Sequence, residues 1–193
     1  MTIDILFVNP SAAQKAYQGL ANNYSAIEPP TWALLLAESV RVADFTPQIL
    51  DINAERLTID AAVDRIKEVS PRLICLVIYG QNPNSGTINM LGAVEIANAL
   101  KAVNMKVPIC AVGSHISALP LEVLQTEPSF DFVLCNEGVY ALRNVLAKDL
   151  SEVDCLESVN GIAYRSEGEE LIINKPEHVV PQNKMDIDLP GYA

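Results

Sequence analysis

The residues of this chain best placed to do chemistry are neutral: amides, hydroxyls and glycines gathered where short apolar runs end. Val112-Gly113-Ser114-His115-Ile116-Ser117 follows Pro108-Ile109-Cys110-Ala111. Asn9-Pro10 closes a first run, Asn136-Glu137-Gly138 a last one, and Tyr79-Gly80-Gln81-Asn82-Pro83-Asn84-Ser85-Gly86-Thr87 follows Leu73–Ile78. Glycine lets backbone approach a ligand closely, and amides and hydroxyls offer many hydrogen bonds without fixed charge. Such a set suits a bulky, amide-decorated ligand better than a compact anion. The same residues have ordinary uses too: Gly80 and Gly113 in turns, Asn82, Asn84, Ser85 and Thr87 in capping the next helix.

Other chemistries find little support. His115 and His178 are the two histidines and lie too far apart in sequence to form a local metal cluster. Cys75, Cys110, Cys135 and Cys155 show neither CxxC nor CxxxCxxC spacing, and three of them sit in apolar runs where free cysteine acts as a small hydrophobe. No metal ligand, cluster ligand or catalytic residue is assigned. A dinucleotide site would need GxGxxG at the first strand–helix turn, where Asn9-Pro10-Ser11-Ala12-Ala13 stands. There is no P-loop and no GxSxG elbow. The positions a phosphoacceptor receiver would fill with Asp and Lys hold Asn9, Tyr79-Gly80 and Asn136-Glu137.

Five runs of strand length must position these groups: 3–8, 47–51, 73–78, 107–112 and 130–134. The third and fourth are nearly continuous in apolar character, as strands covered on both faces are. Helical spacing predicts helices over 31–42, after Pro29-Pro30, and over 59–69, 89–103, 119–125 and 139–150. Strict alternation of strand and helix implies a parallel sheet with right-handed crossovers. The expected fold is α/β, a flavodoxin-like or Rossmann-like doubly wound five-stranded parallel sheet of order 2-1-3-4-5, with its switch point between the first and third strands. Residues 1–150 form this unit. Residues 151–193 read as a β-hairpin (161–165 and 170–174) and a linker without periodicity. About twenty residues separate Asn9 from Glu28, where two to six are usual. Tyr17 and Tyr24 on that connection could offer flat apolar surface to a large planar ligand.

The 193 residues are half hydrophobic and carry a formal charge of −11, enough for a real core and adverse to nucleic acid or anionic membrane as partners. No run reaches membrane-spanning length and no secretory leader is evident, so a cytoplasmic protein is expected.

The chain resembles the amino-terminal cobalamin-binding domain of cobalamin-dependent radical SAM enzymes. The resemblance rests on Asn9-Pro10; on Glu28-Pro29-Pro30 opening a helix that continues Ala33-Leu34-Leu35-Leu36-Ala37; and on Leu50-Asp51-Ile52-Asn53-Ala54-Glu55. It extends through Gly113 to Pro120, Asp131 to Gly138, Asn160 to Arg165 and Asp188-Leu189-Pro190. The family's barrel with its CxxxCxxC triad is absent, as is the DxHxxG motif of the methionine-synthase type of cobalamin domain. The resemblance therefore implies a cobalamin-binding module of a radical SAM enzyme, a methyltransferase acting through methylcobalamin or a related ring-forming or rearranging enzyme. By itself the module would not be catalytic. It would be followed by a C-terminal radical SAM domain that alone holds the [4Fe-4S] cluster and S-adenosylmethionine.

It further implies a base-off corrinoid without a histidine lower ligand, so His115 is not a cobalt ligand. Asn9, Pro10, Tyr17 and Tyr24 would lie near the lower face. Tyr79, Gly80, Gln81, Asn82, Ser85, Thr87, Gly113, Ser114, His115, Asn136, Glu137 and Gly138 would contact the tail and the corrin amides. On this reading Leu34→Arg unfolds the domain, while Gly113→Val spares folding and weakens corrinoid binding. The alternatives are a cofactor-free scaffold that keeps the cobalamin fold, and a flavin-binding flavodoxin-like protein. The latter is disfavoured by the lack of a Ser/Thr-rich first loop to cradle phosphate.

Overall fold

A strand covered on both faces can contain no charge, and Leu73–Ile78 meets that condition with every side chain buried. The computed structural model of the chain describes residues 2–11, 27–79, 83–152 and 154–190, the side chains of Pro83, Asn84, Ser85 and Thr87 excepted. Its strands are β1 (Ile5–Asn9), β2 (Pro47–Asp51), β3 (Leu73–Ile78), β4 (Ile109–Gly113), β5 (Phe132–Leu134), β6 (Ile162–Arg165) and β7 (Leu171–Ile173). They form one sheet of order β2-β1-β3-β4-β5-β6-β7. The first five pair in parallel in the expected 2-1-3-4-5 order. The hairpin continues the same sheet: β6 runs antiparallel on β5, with Phe132 opposite Tyr164, and β7 pairs with β6.

Helices α1 (Thr31–Arg41), α2 (Ile59–Val69), α3 (Pro83–Ala102), α4 (Ser114–Ala118), α5 (Pro120–Thr126) and α6 (Val139–Leu146) cover the two faces, and a single turn, α7 (Met185–Asp188), follows near the C-terminus. The period of two along each strand sorts the core into two layers. Ile5, Phe7, Leu73, Cys75 and Val77 face α1 and α6, whereas Leu6, Val8, Ile74, Leu76 and Ile78 face α2, α3 and α5. Cys75 and Cys110 are buried and opposite each other across β3 and β4. Burial, and then the neighbouring Cys75, push the Cys110 thiol well above its ordinary value, which keeps it a protonated packing group.

Several sequence expectations need correction. α3 begins at Pro83, not Asn89, because proline suits the first helical turn. Much of the supposed polar loop is therefore helix. Ser114–Ala118 is likewise a helical turn, and α6 stops at Leu146 rather than at 150. Along α1 the inward stripe is Ala33, Leu36, Ala37 and Val40, so Leu36 is the core leucine and Leu34 only half-buried.

The segment read as a shapeless linker is strapped along α6. Val180 is buried and its N–H is accepted by the Glu137 carboxylate, while Asn144 Nδ2 donates to Glu177 Oε2 at 3.0 Å. Arg143 pairs with Asp188 at 2.9 Å and donates to the carbonyls of Asp188 (2.6 Å) and Ser39 (3.1 Å). Tyr140 completes the cluster with a 2.6 Å hydrogen bond to Asp188.

The amino ends of the strands are clasped by charge. Asp4 accepts from Arg72 and from the Thr46 N–H, each at 2.8 Å, and Arg72 also donates to the Lys148 carbonyl at 3.1 Å. Lys101 donates to both oxygens of Asp131 at 2.8 and 2.9 Å, and Asp131 also accepts the Ile109 N–H at 2.7 Å.

Candidate functional site

Open α/β sheets bind ligands outside the carboxyl ends of their strands, at the point where neighbouring strands lead off in opposite directions. Here that point lies between β1, which also pairs with β2, and β3, which also pairs with β4. Four chain segments meet along this edge. The described part of the first is Asn9, Pro10 and Ser11. Asn9 donates to Asp51 Oδ1 at 3.0 Å, and Ser11 donates to Asn53 Oδ1 at 3.1 Å, so the end of β1 is tied to the turn after β2.

Tyr79 follows β3 directly. Its hydroxyl donates to the Asn136 carbonyl at 3.2 Å, and its own carbonyl accepts from Asn89 Nδ2 of α3 at 2.9 Å. Burial first, then Cys75 and Glu137, push its phenol up to about 12, so it stays a neutral donor. Ser117 of α4 donates to the same Asn136 carbonyl at 3.1 Å. Asn136 stands in the left-handed region with φ 56°, a conformation asparagine tolerates better than most residues. The loops after β3, β4 and β5 thus meet at one oxygen. Against Tyr79 lies Trp32 of α1, the rings stacked with centroids 4.5 Å apart and planes 22° apart.

Of the residues singled out by sequence, Tyr79 and Asn136 are therefore joined, and Glu137 is engaged by the Val180 N–H. Ser114 is exposed and His115 half-buried on α4. Ser85 and Thr87 lie in the first turns of α3. Tyr17, Tyr24, Gly80, Gln81 and Asn82 lie outside the described residues. Sequence reasoning passed over Trp32 and Asn89, and named Ser117 only as part of its loop. The usable signal for the first was that it is the one tryptophan of the chain, directly after Pro29-Pro30-Thr31.

Three of the glycines are demanded by the fold itself. A Cβ on Gly113 would stand 2.3 Å from the Ile78 carbonyl oxygen, inside neighbouring backbone. Gly113→Val must therefore disturb the sheet itself, and the expectation that it would spare folding is wrong. A Cβ on Gly86 would stand 2.9 Å from Ser114 Oγ, so this glycine brings α3 against the end of β4. Gly138 has φ 73° at the start of α6, a position that needs glycine for its backbone.

A family model described as B12 binding domain matches residues 17–146. The chain belongs to the B12-binding domain family. An uncharacterized methyltransferase of Pyrococcus horikoshii is 27% identical over 164 residues, which are 85% of this chain and 33% of that protein. The chain thus spans about a third of the length of the curated relative it matches. Its fold is shared with the cobalamin-dependent S-adenosylmethionine radical enzyme OxsB, solved with aqua-cobalamin and S-adenosylmethionine (TM-score 0.62, 20% identity, 92% of this chain and 23% of that one). The radical S-adenosylmethionine methyltransferase TsrM from Kitasatospora setae, solved with cobalamin and a [4Fe-4S] cluster, aligns with TM-score 0.66 at 14% identity over 94% of this chain and 30% of that one.

The donor set at the edge fits such a group. An amide-rimmed macrocycle asks for neutral hydrogen-bonding partners and flat apolar surface. Tyr79, Asn89 and Ser117 are neutral groups that already donate within the protein but keep acceptor oxygens, and Trp32 and Tyr79 carry flat apolar rings. The carboxylates of Asp51 and Glu137 are already held by N–H donors from Asn9, Ala54 and Val180. Among the described residues no cluster of three or more His, Cys, Asp or Glu could hold a metal ion, and no helix is long and apolar enough to cross a membrane.

Proposed function

We propose that this chain is the cobalamin-holding part of a larger radical SAM enzyme, a methyltransferase that works through methylcobalamin. Residues 1–150 are the binding unit. Residues 151–193 lead toward a radical SAM domain, where the [4Fe-4S] cluster and S-adenosylmethionine reside. The observation that carries the reading is the B12-binding match over residues 17–146, which takes in the segments between strands that converge on Asn136. The relative named as a methyltransferase and the fold shared with TsrM support the reaction class.

When bound, methylcobalamin supplies a methyl group for transfer to a substrate carbon. The chain's own residues hold and orient the cofactor. Tyr79, Ser117 and Asn89 fix the loops at the sheet mouth before binding, and neutral donors there meet amide groups without the desolvation cost of a charge. These residues would hold the corrinoid in its base-off form, with His115 taking no part as a ligand.

Mixing the purified protein with hydroxocobalamin, removing the excess by gel filtration and recording the visible spectrum tests this reading. Retained corrinoid with a base-off spectrum is the expected result. A colourless protein overturns it and leaves a cofactor-free scaffold.

A further inference from the structure

Tryptophan 32 is an anomaly within α1. The helix buries Ala33, Leu36, Ala37 and Val40, while Trp32, one position ahead of that stripe, keeps partial contact with solvent. Its ring stacks on Tyr79 at the margin of the core cluster that α1 makes with the sheet. Tyr79 in turn is pinned through its hydroxyl to Asn136 and through its carbonyl to Asn89. α1 is the helix that follows β1, and Tyr79 is the residue that follows β3. The stacked pair therefore bridges the two strands whose divergence opens the binding crevice. A large, rigid aromatic surface kept half-open at such a place is suited to receiving another flat ring.

We propose that Trp32, set in place by Tyr79, is the stacking wall of the corrinoid site and takes a flat π-surface of the bound ligand. This rests on the cobalamin reading above and adds a residue and a contact to it. Two parts of a cobalamin offer such a surface, the corrin ring and the heterocyclic base of its nucleotide tail.

Equilibrium dialysis of wild type and Trp32→Leu against aquacobalamin and against dicyanocobinamide, which lacks the nucleotide, separates them. Leucine keeps apolar bulk while removing the ring. The variant is expected to bind about tenfold more weakly, in the range of a lost aromatic stack, with its circular dichroism spectrum unchanged. Loss with aquacobalamin alone assigns the contact to the base, and loss with both assigns it to the corrin. Unchanged affinity for both overturns the proposal while leaving cobalamin binding intact. Should wild type retain neither corrinoid, the cobalamin reading itself fails.

Hydroxyl-radical footprinting of wild type covers the case of a variant that does not fold. Saturating aquacobalamin should protect Trp32 severalfold relative to the exposed Met185. Equal oxidation of Trp32 with and without the corrinoid overturns the proposal.

Discussion

At the amino ends of the strands Arg72 pairs with Asp4 and Lys101 with Asp131; at the carboxyl ends the contacts run through Trp32, Tyr79, Ser117 and Asn136. The first set binds backbone and side chains with charge, and its carboxylates also accept backbone N–H groups. The second uses a phenol, a hydroxyl, a carbonyl and an aromatic stack. Ion pairs thus clasp the amino ends, whereas the contacts that join the loops after β3, β4 and β5 are neutral. On the proposed reading a corrinoid would replace water beside those neutral groups, which costs less than displacing it from a charge.

The sharpest break in this comparison comes from Gly113→Val. Its side chain must enter the backbone of β3, and the expected cost is about 3 kcal/mol or more, read from urea denaturation. Wild-type stability would show that the strand ends have more room than the 2.3 Å approach to Ile78 allows.

A smaller effect is expected at the opposite edge. Arg72→Ala should cost about 1 kcal/mol, given its partly exposed pair with Asp4, and should leave corrinoid retention unchanged. Burial works to raise the Asp4 carboxyl, but the Thr46 N–H and Arg72 outweigh it and hold it below the usual value of 3.8. A carboxyl depressed in the fold stabilises above its unfolded value, and that contribution disappears as the pH falls through the folded value. Asp4→Asn should therefore flatten the loss of stability below about pH 4, followed by thermal melting across an acid series.

The smallest change is expected from Tyr79→Phe. It removes the hydroxyl bond to Asn136 while keeping the ring on Trp32, and should cost under about 1 kcal/mol. In an alkaline ultraviolet titration it should remove one of two phenols among the described residues, Tyr79 and Tyr140, that are pushed up to about 12. Both are raised in the fold, so the stability they lend holds below the ordinary value of 10 and fades as the pH passes 12. A wild-type Tyr79 ionising near 10 would contradict its burial.

The architecture was legible because its signals are long and regular. Leu73–Ile78 carries no polar residue, and the stripe Ala62, Val63 and Ile66 places α2 at Ile59–Val69 as read from the sequence. The site was legible mainly as a place. Ser114-His115-Ile116-Ser117 reads as loop from residue type, yet folds into a helical turn with Ile116 buried beneath it. Gly113 looked like room for a ligand, whereas strand pairing with Ile78 consumes that room, which only the register reveals. Trp32 was hidden because an aromatic residue beside Ala33 and Leu36 has the pattern of one more core position. The strap was hidden because its order comes from Arg143 and Glu137, on or beside another helix, and not from any period of its own.

The Asn136 carbonyl has a consequence for the cost of binding. Two hydroxyls from separate connections converge on it, so the connections after β3, β4 and β5 share one hydrogen-bond acceptor. On the proposed reading, a corrinoid would meet these three connections already joined, and less ordering entropy would be lost on binding.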